Sequence, residues 1–398
     1  MKKILIAGDL FSGLRPWLID DADPRGMPGV YNLYQWLGKS EDYHFKSIIV
    51  NEYVEKDVIF ANGSVIHLRK LPFKNHTFFR IVSVFFLFKE LFKLDREYKS
   101  DFLYGMANYV AVTHILGVIK RKYAVGRVFG TLVPGLWKRG HKFYAVRRHF
   151  MDFLNAKFSS GLLISTNDGT EYDYLVRMVS RRHKFLHLYN GIEKDFRSEL
   201  LSVSCSPPIS SQKIIKIASI GRLAYWKRHD LSIMILDQLV HKYGINAQLN
   251  IVGGGALLGT LVEQAKKLNL EDRIFFKGVL ARKEYLSLLA ETDTCIFAYD
   301  NSNVGNAFWE SMLAARCIVA KNSGDTGSII DGNNGLIIDD KHFVDEASSQ
   351  INDLLNNDRS TELALNARKF TKEFLLPWEK RLEIEFNEIE NCLSNQNA

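Results

Sequence analysis

Cysteine is scarce. Cys205, Cys295, Cys317 and Cys392 are the only four in 398 residues, and no two of them stand at C-x-x-C spacing. That excludes a disulfide framework and a cysteine-built zinc site, because both need clustered thiols. Long apolar runs are missing too. The longest, residues 81–88, contains Ser83 and falls far short of the roughly 20 residues that span a bilayer. Lys2 and Lys3 precede a short apolar run, but Gly8 and Asp9 end it well before the roughly 7 to 15 residues of an export signal. The expectation is a cytoplasmic protein without a transmembrane helix. No repeat of fixed period and no low-complexity tract stands out.

Acidic residues are the last scarcity, and it is local. Between residues 101 and 150 there are nine lysines and arginines and one acid, Asp101. Residues 1–200 carry 31 basic and 20 acidic side chains, whereas 201–398 carry 21 and 25. A basic first half favours an anionic partner: a phosphate, a lipid headgroup or a nucleic acid. Nucleic acid is the least supported of these, since no recognised binding motif accompanies the charge. With 46% hydrophobic and 24% charged residues, the chain has enough apolar material for packed cores, and its length suggests two domains.

The apolar pattern alternates between strand and helix. Short β-rich runs fall at residues 3–7, 47–50, 65–68, 102–104, 125–129, 162–165 and 185–188, with helical patterns between them. Parallel strands need crossover connections, so this alternation predicts a parallel sheet with helices on both faces. Residues 202–211, rich in Ser and Pro, read as an interdomain linker. A second series follows at 214–220, 248–252, 273–276, 294–298, 317–320 and 335–338, and a helical stretch over 361–392 is broken at Pro377. The expected organisation is 1–200, 212–375 and a terminal helix over 376–398.

Several clusters sit where the carboxyl ends of strands are expected. Gly221 and Arg222, followed by Lys227 and Arg228, suit a diphosphate, because glycine lets backbone approach a ligand and arginine presents a forked donor. A solvated basic loop is the other reading. Gly253-Gly254-Gly255 with Gly259 misses the dinucleotide spacing by one residue, which argues against nicotinamide or flavin, and reads either as a tight strand-to-helix turn or as a close passage for substrate phosphates. Residues 300–310 are the most informative. Ser302 or Asn303 is placed to cap a helix whose first amides, at Gly305, Asn306 and Ala307, form an anion site, with Glu310 one turn inside to accept two ribose hydroxyls. An ordinary helix-stabilising glutamate is the alternative. Ser323-Gly324-Asp325 reads as a plain turn, and Arg25 to Val30, around Gly26 and Gly29, as a turn that also admits a phosphate or sugar.

In this order the segments resemble the GT-B glycosyltransferases of family 4, retaining enzymes that use nucleotide-diphosphate sugars. "SIGRLAYWKR" resembles the family's GR-L-x-x-K-G segment, "LNIVGGG…RIFFKG" its I-V-G-x-G…F-x-G segment, and "NVGNAFWESMLAARCIVAKNSGDTGSIIDGNNGLII" its G-x-x-x-x-E-A-M-A-x-G-x-P-V-V-A…G-x-x-G segment. "LYNGIEKDF" and Trp378 in "FLLPWEKRL" resemble the family's close of the first domain and the start of its last helix.

The resemblance implies two Rossmann-like doubly wound domains facing a cleft, with the last helix crossing back to the first. It implies that Arg222 and Lys227 hold the diphosphate and Glu310 the ribose, with Gly221, Gly253, Asn303, Gly305, Asn306 and Ala307 lining the nucleotide site. Lys277, Gly278 and Val279 would flank the base, and Gly29 would lie near the β-phosphate. No cofactor and no metal is implied, because side-chain cations and helix dipoles neutralise the leaving group. The implied partners are a UDP- or GDP-linked sugar and a glycan or lipid-linked acceptor of cell-surface polysaccharide synthesis.

Three departures from the family pattern bear on specificity. Ser302 stands where a carboxylate holds donor sugar hydroxyls, with Asn303 and Val304 beside it. Phe129-Gly130-Thr131 replaces a His-Gly on the acceptor side, and Ser328 replaces an acid. A catalytically silent sugar-nucleotide-binding scaffold is the alternative function. Basic residues among the Phe and Leu of 70–94, and near Trp137, Phe143 and Tyr144, also suit an anionic membrane surface.

Overall fold

A computed structural model of the chain describes residues 1–10, 14–20, 28–71, 76–167, 169–179, 184–207, 209–210, 212–301, 303–355 and 357–396. Its secondary structure forms two sheets. The chain divides into one unit of Met1–Asn167, Glu171–Gly191 and Trp378–Ala398, and another of Asp168–Thr170 and Ile192–Pro377.

In the first unit the strands are β1 (Lys2–Asp9), β2 (Tyr43–Asn51), β3 (Lys56–Ile59), β4 (Val65–Lys70), β5 (Phe102–Met106), β6 (Tyr123–Val128), β7 (Leu162–Asn167) and β8 (Lys184–Tyr189). Their order is β3-β4-β2-β1-β5-β6-β7-β8, parallel throughout except for β3. Side chains alternate across a strand, so the unbroken apolar run of β1 feeds two cores. Ile4 and Ile6 join Val30, Leu33 and Phe45 on one face, while Leu5 and Ala7 join Leu87, Leu91 and Leu116 on the other. The antiparallel edge strand β3 was not anticipated. It is a short hairpin partner of β4, closed by a turn with Gly63 at φ +80°, and its charged, exposed residues give no buried-strand signal.

The helix Trp378–Gln396 packs into the first unit, where Leu382, Phe386 and Ile389 complete the core of Ile4 and Ile6. Pro377 separates it from the helix Arg359–Phe374, as a proline must.

The second unit holds β9 (Ile215–Ile220), β10 (Ala247–Val252), β11 (Ile274–Gly278), β12 (Thr294–Phe297), β13 (Cys317–Lys321) and β14 (Leu336–Ile338), all parallel, in the order β11-β10-β9-β12-β13-β14. The doubly wound α/β expectation is therefore met in each unit. The Ser- and Pro-rich stretch differs from a free linker, because it is tied to the second unit. Ile209 is buried in that unit's core, the Ser206 amide donates to the Ala315 carbonyl, and Thr361 donates to the Ser206 carbonyl at 3.1 Å. Polar side chains and prolines can hug a surface by hydrogen bonding, which composition alone does not reveal.

Candidate active site

The chain leaves β9 for β10 and β11 on one side and returns to β12 on the other. The winding reverses between β9 and β12, and the carboxyl ends of strands at such a point are where doubly wound sheets bind ligands. The loops after these two strands carry most of the candidate residues.

Glycine is required here by crowding. A β-carbon on Gly253, whose φ is +134°, would lie 1.9 Å from the Gly221 carbonyl oxygen, and one on Gly255 would lie 2.4 Å from that of Leu223. The Gly221 amide donates to Val252 and the Leu223 amide to Gly254, so the two loops are sewn together. Of the two readings of the triple glycine, the tight turn accounts for Gly253 and Gly255. Gly221 faces Tyr299, whose phenol donates to the Ile220 carbonyl.

The basic cluster separates into parts. Arg228 is neutralised by Asp230 at 3.0 Å and by Asp300 at 3.4 Å. Asp300 also pairs with the buried Lys321, and its amide donates to the Trp226 carbonyl, which ties the β9 and β12 loops to each other. Arg222 is exposed, and the Lys227 ammonium lies 3.7 Å above the centre of the Tyr299 ring. Buried His229 holds the loop from below. Its Nδ1 is 2.8 Å from the Ser219 hydroxyl and its Nε2 is 3.3 Å from the Arg222 carbonyl. A carbonyl only accepts, so Nε2 carries the proton and Nδ1 accepts from Ser219. Burial pushes the imidazole down to about 4, which keeps it neutral.

After β12 the helix Asn306–Leu313 begins with Gly305 as its cap, and no side chain caps it. This corrects the expectation for Asn303. Its amide nitrogen instead donates to the Tyr299 carbonyl at 2.9 Å and to Ser323, bracing the loop from inside. Ser302 lies outside the described residues, as do Arg25, Gly26 and Met27. Val304 is buried, and Gly305, Asn306 and Ala307 are half-buried at the helix start, where the first backbone bond returns from Phe308 to Gly305.

Glu310 is half-buried on this helix. Burial lifts its carboxyl to about 7, and the Tyr285 phenol beside it offsets part of that cost. Tyr285 and Tyr299 both feel the Glu310 charge and are held well above the ordinary phenol range, mainly by their own burial. Tyr299 thus lies under the Lys227 ammonium and within reach of the Glu310 charge.

Lys277, Gly278 and Val279 stand at the exposed end of β11, with Val279 67% exposed and the Gly253 amide donating to the Gly278 carbonyl. Lys277 also borders a cleft of about 450 Å³ beside the helix Arg282–Glu291, lined by Asn250, Leu280, Lys283 and Glu284 and not reaching Glu310.

In the first unit, Gly29 is buried in the helix Pro28–Gly38 against Trp378 and Arg127. Phe129 is half-buried and Gly130 exposed at the end of β6. The Thr131 hydroxyl donates to Asp152 at 2.6 Å and accepts from the Val133 amide, which is a structural use of that side chain.

Sequence reasoning missed Tyr299, Tyr285 and His229, and gave Asp300 no role within the segment it opens. Tyr299 and Asp300 directly follow a buried strand at its carboxyl end, the one signal that pointed to them. Nothing in the local sequence marks Tyr285 or His229.

The fold is that of the GT-B glycosyltransferases, and residues 208–374 match the family described as glycosyl transferases group 1. An uncharacterized glycosyltransferase of Methanocaldococcus jannaschii is 27% identical over 186 residues, which are 46% of this chain and 46% of that relative. The chain thus matches under half the length of its curated relative. Anabaena HepE, solved with UDP and glucose, superposes with a TM-score of 0.67 over 98% of this chain and all of that one at 18% identity. The lipopolysaccharide outer core galactosyltransferase WaaB does so with a TM-score of 0.67 over 96% and 98% at 12% identity.

Proposed function

We propose that this protein is a retaining glycosyltransferase that moves a sugar from a nucleotide-diphosphate sugar to a glycan or lipid-linked acceptor in cell-surface polysaccharide synthesis. The observation that carries the reading is Glu310: a half-buried carboxyl lifted to about 7, one turn into the helix after β12 and beside the Tyr285 phenol. A glutamate placed for helix stability alone would stay exposed and ordinary. As a carboxylate it accepts vicinal ribose hydroxyls, while Arg222, Lys227 and the amides of Asn306 and Ala307 take up charge as it collects on the departing diphosphate. Lys277 to Val279 flank the base. The UDP bound in HepE supports uridine over guanosine, and the acceptor named for WaaB supports a sugar chain.

Release of nucleoside diphosphate from a panel of nucleotide sugars tests this. Arg222→Ala and Lys227→Ala are each expected to lower kcat/KM by roughly 10² to 10³ with the fold intact, the usual cost of losing one donor to developing charge. Near-normal turnover in both variants removes them from the mechanism. Absence of binding to any nucleoside diphosphate by calorimetry removes the activity itself.

The acceptor side favours an anionic membrane surface. Phe143 (81% exposed), Tyr144 (56%) and Phe150 (55%) stand among Lys142, Arg147 and Arg148, which are exposed with no acid nearby in sequence until Asp152. Such a surface gains from both apolar insertion and charge. Co-sedimentation with phosphatidylglycerol vesicles at low salt is expected, weakening as salt rises, and no sedimentation at low salt counts against it.

A further inference from the structure

The helix Arg282–Glu291 carries the chain from the edge strand β11 back to β12, and it covers the sheet poorly: Leu289 is its one buried residue. The strand beside β11 shows the consequence. In β10, Ala247, Leu249 and Ile251 enter the core, while Gln248 and Asn250 alternate with them on the opposite face. A parallel strand covered on both faces is apolar throughout, so a polar row marks a face left open to water. Phe275 of β11 lies in register with Asn250, and alternation puts Lys277 on the same face. Between this face and the helix runs the cleft of about 450 Å³, a size that suits a small molecule.

The charged groups that line the cleft are unevenly committed. Its two carboxylates are engaged, since Glu284 accepts from the Ala281 amide at 2.9 Å and Glu291 pairs with Lys216 at 2.8 Å. Among the described residues, Asn250, Lys277, Lys283 and Ser287 have no hydrogen-bond or ion-pair partner. The Lys277 ammonium rests 5.2 Å from the centre of the Phe275 ring and feels the Glu291 charge at longer range. Leu280 and Leu288 add apolar surface. Residues two apart on a helix point nearly opposite ways, so Ser287 borders the cleft while Tyr285 meets Glu310 on the other side. The cleft is therefore separate from the candidate active site.

Two ammonium groups call for an anion, an amide and a hydroxyl match the hydroxyls of a sugar, and the leucines accept the C–H face of a ring. We propose that this cleft binds an acidic saccharide, with its phosphate or carboxylate between Lys277 and Lys283 and its hydroxyls on Asn250 and Ser287. The site is additional to the glycosyltransferase reading and does not depend on it.

Calorimetry on the full chain tests it, with glucose 6-phosphate and glucuronate as probes and with glucose and inorganic phosphate as controls at matched ionic strength. At least one acidic sugar is expected to bind more tightly than both controls, and the tighter of the two names the anion. Lys283→Met is expected to weaken that probe roughly tenfold or more, the usual effect of losing a hydrogen bond to a charged group. Asn250→Leu is expected to abolish binding by filling the floor with an apolar side chain. Lys283 is exposed, so its variant keeps the test open if Asn250→Leu fails to fold. Arg222→Ala is expected to bind the probe as wild type does, which distinguishes the cleft from the candidate active site. Failure of wild type to bind either acidic sugar more tightly than glucose and inorganic phosphate overturns the proposal. Binding lost in Arg222→Ala but kept in Lys283→Met overturns it as well.

Discussion

Glu310 ties the chemistry of the second unit to pH. Its carboxyl titrates near 7 in the folded protein against an ordinary value of 4.5. In the proposed role, ribose hydroxyls donate to the ionised form, so binding would require the proton to leave. About a tenth of such carboxyls are ionised at pH 6 and about nine-tenths at pH 8, so UDP-glucose affinity is expected to rise roughly tenfold over that interval and to be flat in Glu310→Gln. UDP-glucose is the proper probe, since its diphosphate does not titrate there. Calorimetry at the two pH values checks this, and a wild-type affinity that falls with pH contradicts the assigned role.

Stability runs in the opposite direction. Because the folded pKa is raised, the folded state keeps a proton that the unfolded chain releases, and the contribution is full below 4.5 and lost as pH rises through 7. Glu310→Gln is therefore expected to melt above wild type at pH 8 and level with it at pH 4.5. His229 illustrates a residue-scale role invisible in sequence. It works as a neutral prop between Ser219 and the Arg222 carbonyl, so its part in the site is to position the loop.

At the scale of elements, the crossing of the β9 and β10 turns is the tightest constraint near the site. Gly253→Ala forces a β-carbon to within 1.9 Å of the Gly221 oxygen at φ +134° and is expected to destabilise by more than about 2 kcal/mol, read from urea unfolding. Gly259, further along the same crossover, meets nothing within 4 Å and lies in the helix Leu258–Lys267. Gly259→Ala is expected to be neutral or to stabilise by up to about 1 kcal/mol. The contrast settles what the glycine spacing meant. It matched a nucleotide fingerprint imperfectly because two of its members serve backbone packing and the last is a plain helical residue.

The start of the helix Asn306–Leu313 teaches the converse. Asn303 carries the side chain of a capping residue, yet it turns inward to the Tyr299 carbonyl and leaves Gly305 as cap. Local propensity identified a helix start within two residues, and a tertiary acceptor decided which residue ended as its cap.

At the scale of the whole molecule, the last helix belongs to the first unit's core. Phe386 packs against Trp36, Tyr43 and Tyr104 with ring centres 4.9, 4.9 and 6.4 Å away. Phe386→Ala is expected to cost roughly 3 to 5 kcal/mol, the usual range for a buried aromatic, and to appear in thermal unfolding as loss of the first unit. Ending the chain at Pro377 removes Leu382, Phe386 and Ile389 together and is expected to leave that unit unfolded.

The alternating apolar runs specified both parallel sheets, because a strand buried on two faces has to be apolar throughout and each crossover needs its own amphipathic helix. The positions of Gly221, Arg222, Lys227, Gly305 and Glu310 in the segments that follow β9 and β12 came from the same pattern. Only the tertiary structure decided which of these charges stay available. Arg228 is consumed by Asp230 and Asp300, Glu310 acquires Tyr285, and Arg127 shares the Glu385 carboxylate with Arg381. Periodicity reports which face of an element is buried. The energy of a charge depends on what else is within a few ångströms of it, and chain neighbours rarely supply that.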